Sequence, residues 1–83
     1  MLQLRYFASL RDQLSCDNES LEWHNKFKTA GDVRAALASR GEPWQTTISK
    51  PAVLIAINQE MGSDHSAISD GDEIAYFPPV TGG

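Results

Sequence analysis

Residues 73–83 read "EIAYFPPVTGG". In the first five, Ile74 and Tyr76 fall on one face and Glu73, Ala75 and Phe77 on the other, in the manner of a strand. Pro78 and Pro79 end that strand, because neither has an N–H to donate to a ladder. The "DGD" at residues 70–72 is a tight-turn signal leading into it. A strand stopped by two prolines and followed by Val80, Thr81, Gly82 and Gly83 is held at one end and free to reach with the other. Four extended residues span about 13–14 Å at ~3.3–3.6 Å each. Gly82 and Gly83 carry no side chain, so they can thread a narrow channel in another protein. The only functional group they deliver is the carboxylate of Gly83. Activated by ATP as an acyl-adenylate, it becomes electrophilic, and a glycine carbonyl is sterically open to attack. A chance Gly-Gly at two given positions has a probability of about 0.5%, taking Gly at ~7% per site. A frayed terminus or a cloning remnant is the plain alternative.

Upstream, "LQLRYF" (2–7) alternates, with Leu2, Leu4 and Tyr6 on one face and Gln3, Arg5 and Phe7 on the other. That is a half-buried strand. In "ASLRDQL" (8–14), Leu10 and Leu14 lie four apart, which predicts a short helix with Ser9 as its cap. "ESLEW" (19–23) reads as a second strand, with Leu21 and Trp23 on one side. "TAGDVRAALASRG" (29–41) is the clearest helix. Thr29 is a good N-cap, and Asp32 stands at capping-box spacing near the positive end of the dipole. Ala30, Val33, Ala36 and Leu37 form the buried stripe, and Gly41 can take the left-handed position past the end. "EPWQTTISKP" (42–51) is expected to be an irregular connector anchored by Trp44. "AVLIAIN" (52–58) is the most apolar run and predicts a central strand buried on both faces. A turn and a short strand at residues 59–61 follow. The main order, β-α-β-α-β-β, implies an α+β domain over residues 1–83: a mixed sheet packed against one main helix.

Size and charge narrow the function. With 83 residues, 41% of them hydrophobic, the composition is that of one small globular domain. A chain this short can hardly build a deep cleft, which favours a carrier, adaptor or subunit over a complete enzyme. Net charge is −4 and the seven basic residues are scattered, so nucleic acid is not an expected partner. No apolar run approaches the ~20 residues of a membrane span. The start of the chain lacks the features of a signal peptide. Cys16 is the single cysteine and cannot form an internal disulfide. The expected setting is therefore the reducing cytoplasm. His24 and His65 stand apart from each other and from Cys16, which gives no metal-ligand spacing. The Asp70–Asp72 pair offers too few oxygens for calcium.

Strand alternation also predicts a surface. If Leu2, Leu4, Tyr6, Ile74 and Tyr76 face the main helix, Phe7 and Phe77 point outward near the exit of the tail. Two outward aromatic rings there would form an interface anchor. The competing reading is a second small core under a loop. Arg11, on the exposed side of the short helix, is a candidate for an ion pair at the rim of that interface, or simply a solvated arginine.

The string "DGDEIAYFPPVTGG" (70–83), together with "RYFASLRD" (5–12) and "AINQE" (56–60), resembles the small subunits of molybdopterin synthases. These are sulfur carriers with the ubiquitin-like β-grasp fold and a flexible Gly-Gly tail. The likeness spans the chain in length and element order, and Thr81 fills the variable position of the Phe-Pro-Pro-Val-x-Gly-Gly string. The resemblance implies that an adenylyltransferase similar to ubiquitin-activating enzymes consumes ATP to adenylate Gly83. A sulfur donor enzyme then displaces AMP to leave a thiocarboxylate. The extended tail, residues 79–83, with Pro78 beside it as a partner contact, inserts into the large synthase subunit, where sulfur passes to cyclic pyranopterin monophosphate. Met61 falls at a position that is hydrophobic in the family and joins Phe7 and Phe77 as a partner contact. The chain is expected to bind no cofactor itself, to need no processing beyond Gly83 and to work in a heterotetramer.

Three other readings stay open at this point. A thiamine-pathway sulfur carrier shares the tail chemistry, although Phe-Pro-Pro before Gly-Gly speaks against it. A ubiquitin-like modifier would pass Gly83 to a lysine amine. A plain interaction module would not need Gly82 and Gly83 at all.

Overall fold

The computed structural model describes residues 1–79. Val80, Thr81, Gly82 and Gly83 lie outside the described residues. Five strands and three helices follow in the order β1 (Leu2–Tyr6), α1 (Ala8–Leu14), β2 (Asn18–Leu21), α2 (Ala30–Ala38), α3 (Trp44–Ile48), β3 (Leu54–Ile57), β4 (Glu60–Gly62) and β5 (Glu73–Phe77). The sheet order is β2-β1-β5-β3-β4. β1 and β5 run parallel, and the other pairings are antiparallel. This mixed sheet with α2 as the main helix on one face is the β-grasp arrangement expected from the sequence.

Alternation in the strands builds the core. Leu2, Leu4 and Tyr6 of β1, Ile55 of β3, and Ile74 and Tyr76 of β5 are buried on the helix side. They meet Leu10 and Leu14 of α1, Ala30, Val33 and Leu37 of α2, and Ile48 of α3. Each fully buried Leu or Ile contributes roughly 1.5–3 kcal/mol through removal of apolar area from water. Ala36, expected in the buried stripe of α2, is only half-buried.

α2 starts as its sequence dictates. The Thr29 hydroxyl accepts from the Asp32 N–H, and the Asp32 carboxylate accepts from the Thr29 N–H at 2.9 Å. Loop carbonyls take the next free donors: the Ala30 N–H donates to Ser66 O and the Gly31 N–H to Asp64 O, each at 2.9 Å. A Cβ on Gly31 would stand 3.0 Å from that Asp64 oxygen, so a larger residue there would push the loop back by a few tenths of an ångström. Arg34 then ties α2 to its surroundings, donating to Ile48 O at 2.6 Å, to Lys50 O and to the Asp64 carboxylate at 3.2 Å.

Several local expectations are corrected. α1 has Phe7, not Ser9, at its N-cap, and no side chain caps it. The second strand begins at Asn18 and ends at Leu21, leaving Trp23 beyond it, half-buried against Phe27. The 42–51 connector contains the helix α3, where Trp44 packs edge-on to Tyr6 with ring centroids 5.4 Å apart. The short fourth strand is Glu60–Gly62, because Asn58 and Gln59 both take positive φ and form the turn of a tight hairpin. The central strand is β5 rather than β3. β3 lies between β5 and β4 with Ile55 and Ala56 buried on its two faces, but its first residue, Leu54, is exposed.

Candidate functional site

The register of the sheet places the tail's root. β5 ends at Phe77, across from Leu54 of β3. On its other side, β1 pairs Tyr6 with Tyr76, and the Phe7 N–H donates to Tyr76 O at 3.2 Å. The next positions, Phe7 and Phe77, therefore share the face opposite the helices. Their rings stack with centroids 4.8 Å apart and planes 11° from parallel. Phe7 is 37% exposed, while Phe77 is half-buried beneath its neighbours. The sequence reading of these two rings as an outward pair matches this geometry. Pro78, half-buried, and Pro79, exposed, lead the chain away from the stack.

The rest of the outward face follows from the same register. Arg5, Ala75, Ala56 and Met61 form one row across β1, β5, β3 and β4. Met61 is 66% exposed. It shares the face with the phenylalanines but is separated from β5 by β3. Arg5 lies 3.7 Å from Glu73 and sets its guanidinium carbon 5.8 Å from the centre of the Phe7 ring, so a charged pair borders the apolar area. Arg11 is exposed on α1 with its guanidinium 3.7 Å from Asp12, a pairing within its own helix. Gly82, Gly83, Val80 and Thr81 lie outside the described residues.

Sequence reasoning missed Leu54. Like Phe7, it is 37% exposed. The signal was present in "VLIAI", where Val53, Ile55 and Ile57 alternate with Leu54 and the small Ala56. The run was uniformly apolar, which hid the alternation.

A polar cluster on the opposite side steadies β1. The Tyr6 hydroxyl donates to Glu19 at 2.8 Å, and Arg40 grips the same carboxylate with two bonds of 2.9 Å. The Arg40 guanidinium sits 4.5 Å from the Trp44 ring centre. Burial pushes the Glu19 pKa upward, but the bonds from Arg40 and Tyr6 and the Arg40 charge outweigh it, leaving the group below its ordinary value. Burial foremost, then the adjacent Glu19, raises the Tyr6 pKa well above the ordinary phenol range. Burial likewise raises the thiol pKa of Cys16, the opposite of an activated nucleophile. Among the described residues, no group of three or more His, Cys, Asp or Glu side chains is placed to hold a metal ion. None of the described helices is long and apolar enough to cross a membrane. The depression between Arg34, Ser49 and Asp64 is open to solvent and holds no enclosed chamber.

A five-stranded mixed sheet grasping one main helix, with its middle strand leading out past an apolar face, defines a ubiquitin-like β-grasp protein. Residues 4–83 match the ThiS family, and the chain belongs to that family. It is 45% identical, over the whole of both chains, to the molybdopterin synthase sulfur carrier subunit of Haemophilus influenzae. Identity to the Escherichia coli protein of the same description is 34%, again over the whole of both. Among solved structures, SAMP1 of Haloferax volcanii superimposes with a TM-score of 0.70 at 26% identity, covering 99% of this chain and 98% of its own. The complex of subunits 1 and 2 of the molybdopterin-converting factor of Helicobacter pylori contains a chain with the same fold. Its TM-score is 0.66 at 23% identity, covering 99% of this chain and 97% of that one.

Proposed function

We propose that this protein is the sulfur carrier of a molybdopterin synthase, with its C-terminal glycine as the working group and the folded body as its handle. One observation carries the reading. In a chain that aligns end to end with such a carrier, the strand leading to Gly-Gly stops inside an outward apolar face made by Phe7 and Phe77. A tail rooted there is delivered to whatever covers that face.

The chemistry follows from the carboxylate. An adenylyltransferase joins Gly83 to AMP at the expense of ATP. A sulfur donor enzyme forms the carbon–sulfur bond as the bond to AMP breaks, leaving a thiocarboxylate. Val80 to Gly83 then enter the large synthase subunit, which supplies the catalytic side chains. Sulfur passes there to cyclic pyranopterin monophosphate. The carrier itself supplies no acid or base and consumes no cofactor. Phe7, Phe77 and Met61 hold the large subunit against the sheet, with Arg11 at the rim and Pro78 and Pro79 aiming the tail. The setting is the cytoplasm.

The deciding experiment is the intact mass of the protein after incubation with activating enzyme, ATP and a sulfur donor. Exchange of one oxygen for sulfur at Gly83 is the expected result. A second reading, a protein modifier, draws on the likeness to SAMP1, the small archaeal modifier protein 1 of Haloferax volcanii. A stable isopeptide to lysines of other proteins, with no sulfur exchange, would replace the carrier reading by that one.

A further inference from the structure

Leu54 opens β3 on the outward face, directly across from Phe77. Phe7 occupies the matching place on the β1 side. Phe77, the last strand residue before the prolines, is thus the middle of a three-residue apolar row. Its two flanks stand one strand spacing of ~4.8 Å to either side. The core does not call for a leucine at this position, since Val53 and Ile55 fill the buried side of the segment and Leu54 is 37% exposed. A solvent-facing strand position is served as well by Thr, without displaying apolar area to water.

Leu54 also shares its face with the exposed Met61. The row behind it is floored by Ala56 and Ala75, both buried, and Met61 lies beyond them on β4. On this face Leu54 stands on the strand between Phe77 and Met61, so the large apolar residues of the face are distributed from β1 to β4. The Arg5–Glu73 pair bounds the face at its other end. The apolar area is therefore concentrated around the tail's root, where a partner receiving the tail must sit.

We propose that Leu54 is a third anchor for the large synthase subunit, gripping the β3 flank of the tail's root as Phe7 grips the β1 flank. This rests on the reading of the Phe7–Phe77 face as the docking surface. Desolvating an exposed leucine at the centre of an interface predicts that Leu54→Thr weakens binding by roughly tenfold or more. Leu54→Met, which keeps the apolar area, retains the parental affinity.

The test is calorimetric titration of the full-length carrier with the large subunit, for the parent, Leu54→Thr, Leu54→Met and Phe77→Asp. A loss in Leu54→Thr with retention in Leu54→Met supports the proposal. Parental affinity in Leu54→Thr beside lost binding in Phe77→Asp overturns it and leaves the docking face standing. Parental affinity in Phe77→Asp overturns the face itself, and Leu54 with it. A measurement on the unmutated protein covers the case of a variant that fails to fold. The Leu54 methyl resonances should shift or broaden as the large subunit is added, and unchanged resonances at saturation overturn the proposal. Shifts that follow only the carrier's own concentration would assign the surface to a second copy of the chain and overturn it as well.

Discussion

Phe7 and Phe77 lie near opposite ends of the chain, yet their rings stack 4.8 Å apart across the parallel seam of β1 and β5. The pair is built by register, because each ring follows a core tyrosine by one residue. An aromatic pair of this kind adds about 0.5–1.5 kcal/mol beyond the area it buries.

Phe77→Asp should therefore abolish binding to the large synthase subunit while the protein remains folded. For a domain of this size, ~1 kcal/mol shifts the melting temperature by about 4–8 °C. A modest drop of that order is expected, since Ile74 and Tyr76 still hold β5 in the core. Circular dichroism melting beside calorimetric titration checks both halves, and outright unfolding would mean that Phe77 belongs to the core.

Blocking the terminal carboxylate should stop sulfur loading without disturbing the body. A version amidated at Gly83, or extended by one residue, is expected to melt like the parent and to show no sulfur exchange by intact mass. Full carrier activity in either version would remove the basis of the proposed function.

The two stacked core tyrosines should respond oppositely to loss of their hydroxyls. Tyr6 donates to Glu19 at 2.8 Å, so Tyr6→Phe leaves a half-buried carboxylate short of a partner and should cost about 1–2 kcal/mol. The Tyr76 hydroxyl is buried with no hydrogen-bond partner among the described residues. Removing it removes an unmatched polar group, so Tyr76→Phe should be neutral or stabilising. Denaturant titration of the two variants side by side gives the comparison.

Glu19 should make part of the stability acid-sensitive. Its pKa is held below the ordinary value in the folded protein, so it binds a proton more weakly there than in the unfolded chain. Its contribution is fully present above the unfolded value of about 4.3 and is lost as pH falls through the lower folded value. Glu19→Gln should be less stable than the parent at neutral pH and should show a flatter decline in the acid range. Melting temperatures of both proteins across that range check the prediction, and parallel curves would contradict it.

Periodicity exposed the two parallel inner strands of the grasp, β1 and β5, and the helix across them, because alternation in "LQLRYF" and "EIAYF" and the Thr29–Asp32 box are local signals. It also placed Phe7 and Phe77 on one face, since each strand's side chains are assigned by parity alone. What it could not show was strand order. No local feature says that β5 inserts between β1 and β3, so β3 was expected at the centre and Leu54 was taken as buried. The Glu19–Arg40 pair was hidden for the same reason, because its members meet only after the sheet and α2 have packed. Ser9 misled because α1 begins where the chain turns at Ala8, which takes a positive φ of 53° directly after Phe7.

The middle position of β5 has a consequence for synthesis. β1 and β2 form one antiparallel ribbon, β3 and β4 another, and among the described strands only β5 pairs with both. A nascent or truncated chain that lacks it has two loose ribbons and no stacked aromatic pair. Without β5 the Phe7–Phe77 stack cannot form, so the outward apolar face is complete only when the strand that carries Phe77 is in place.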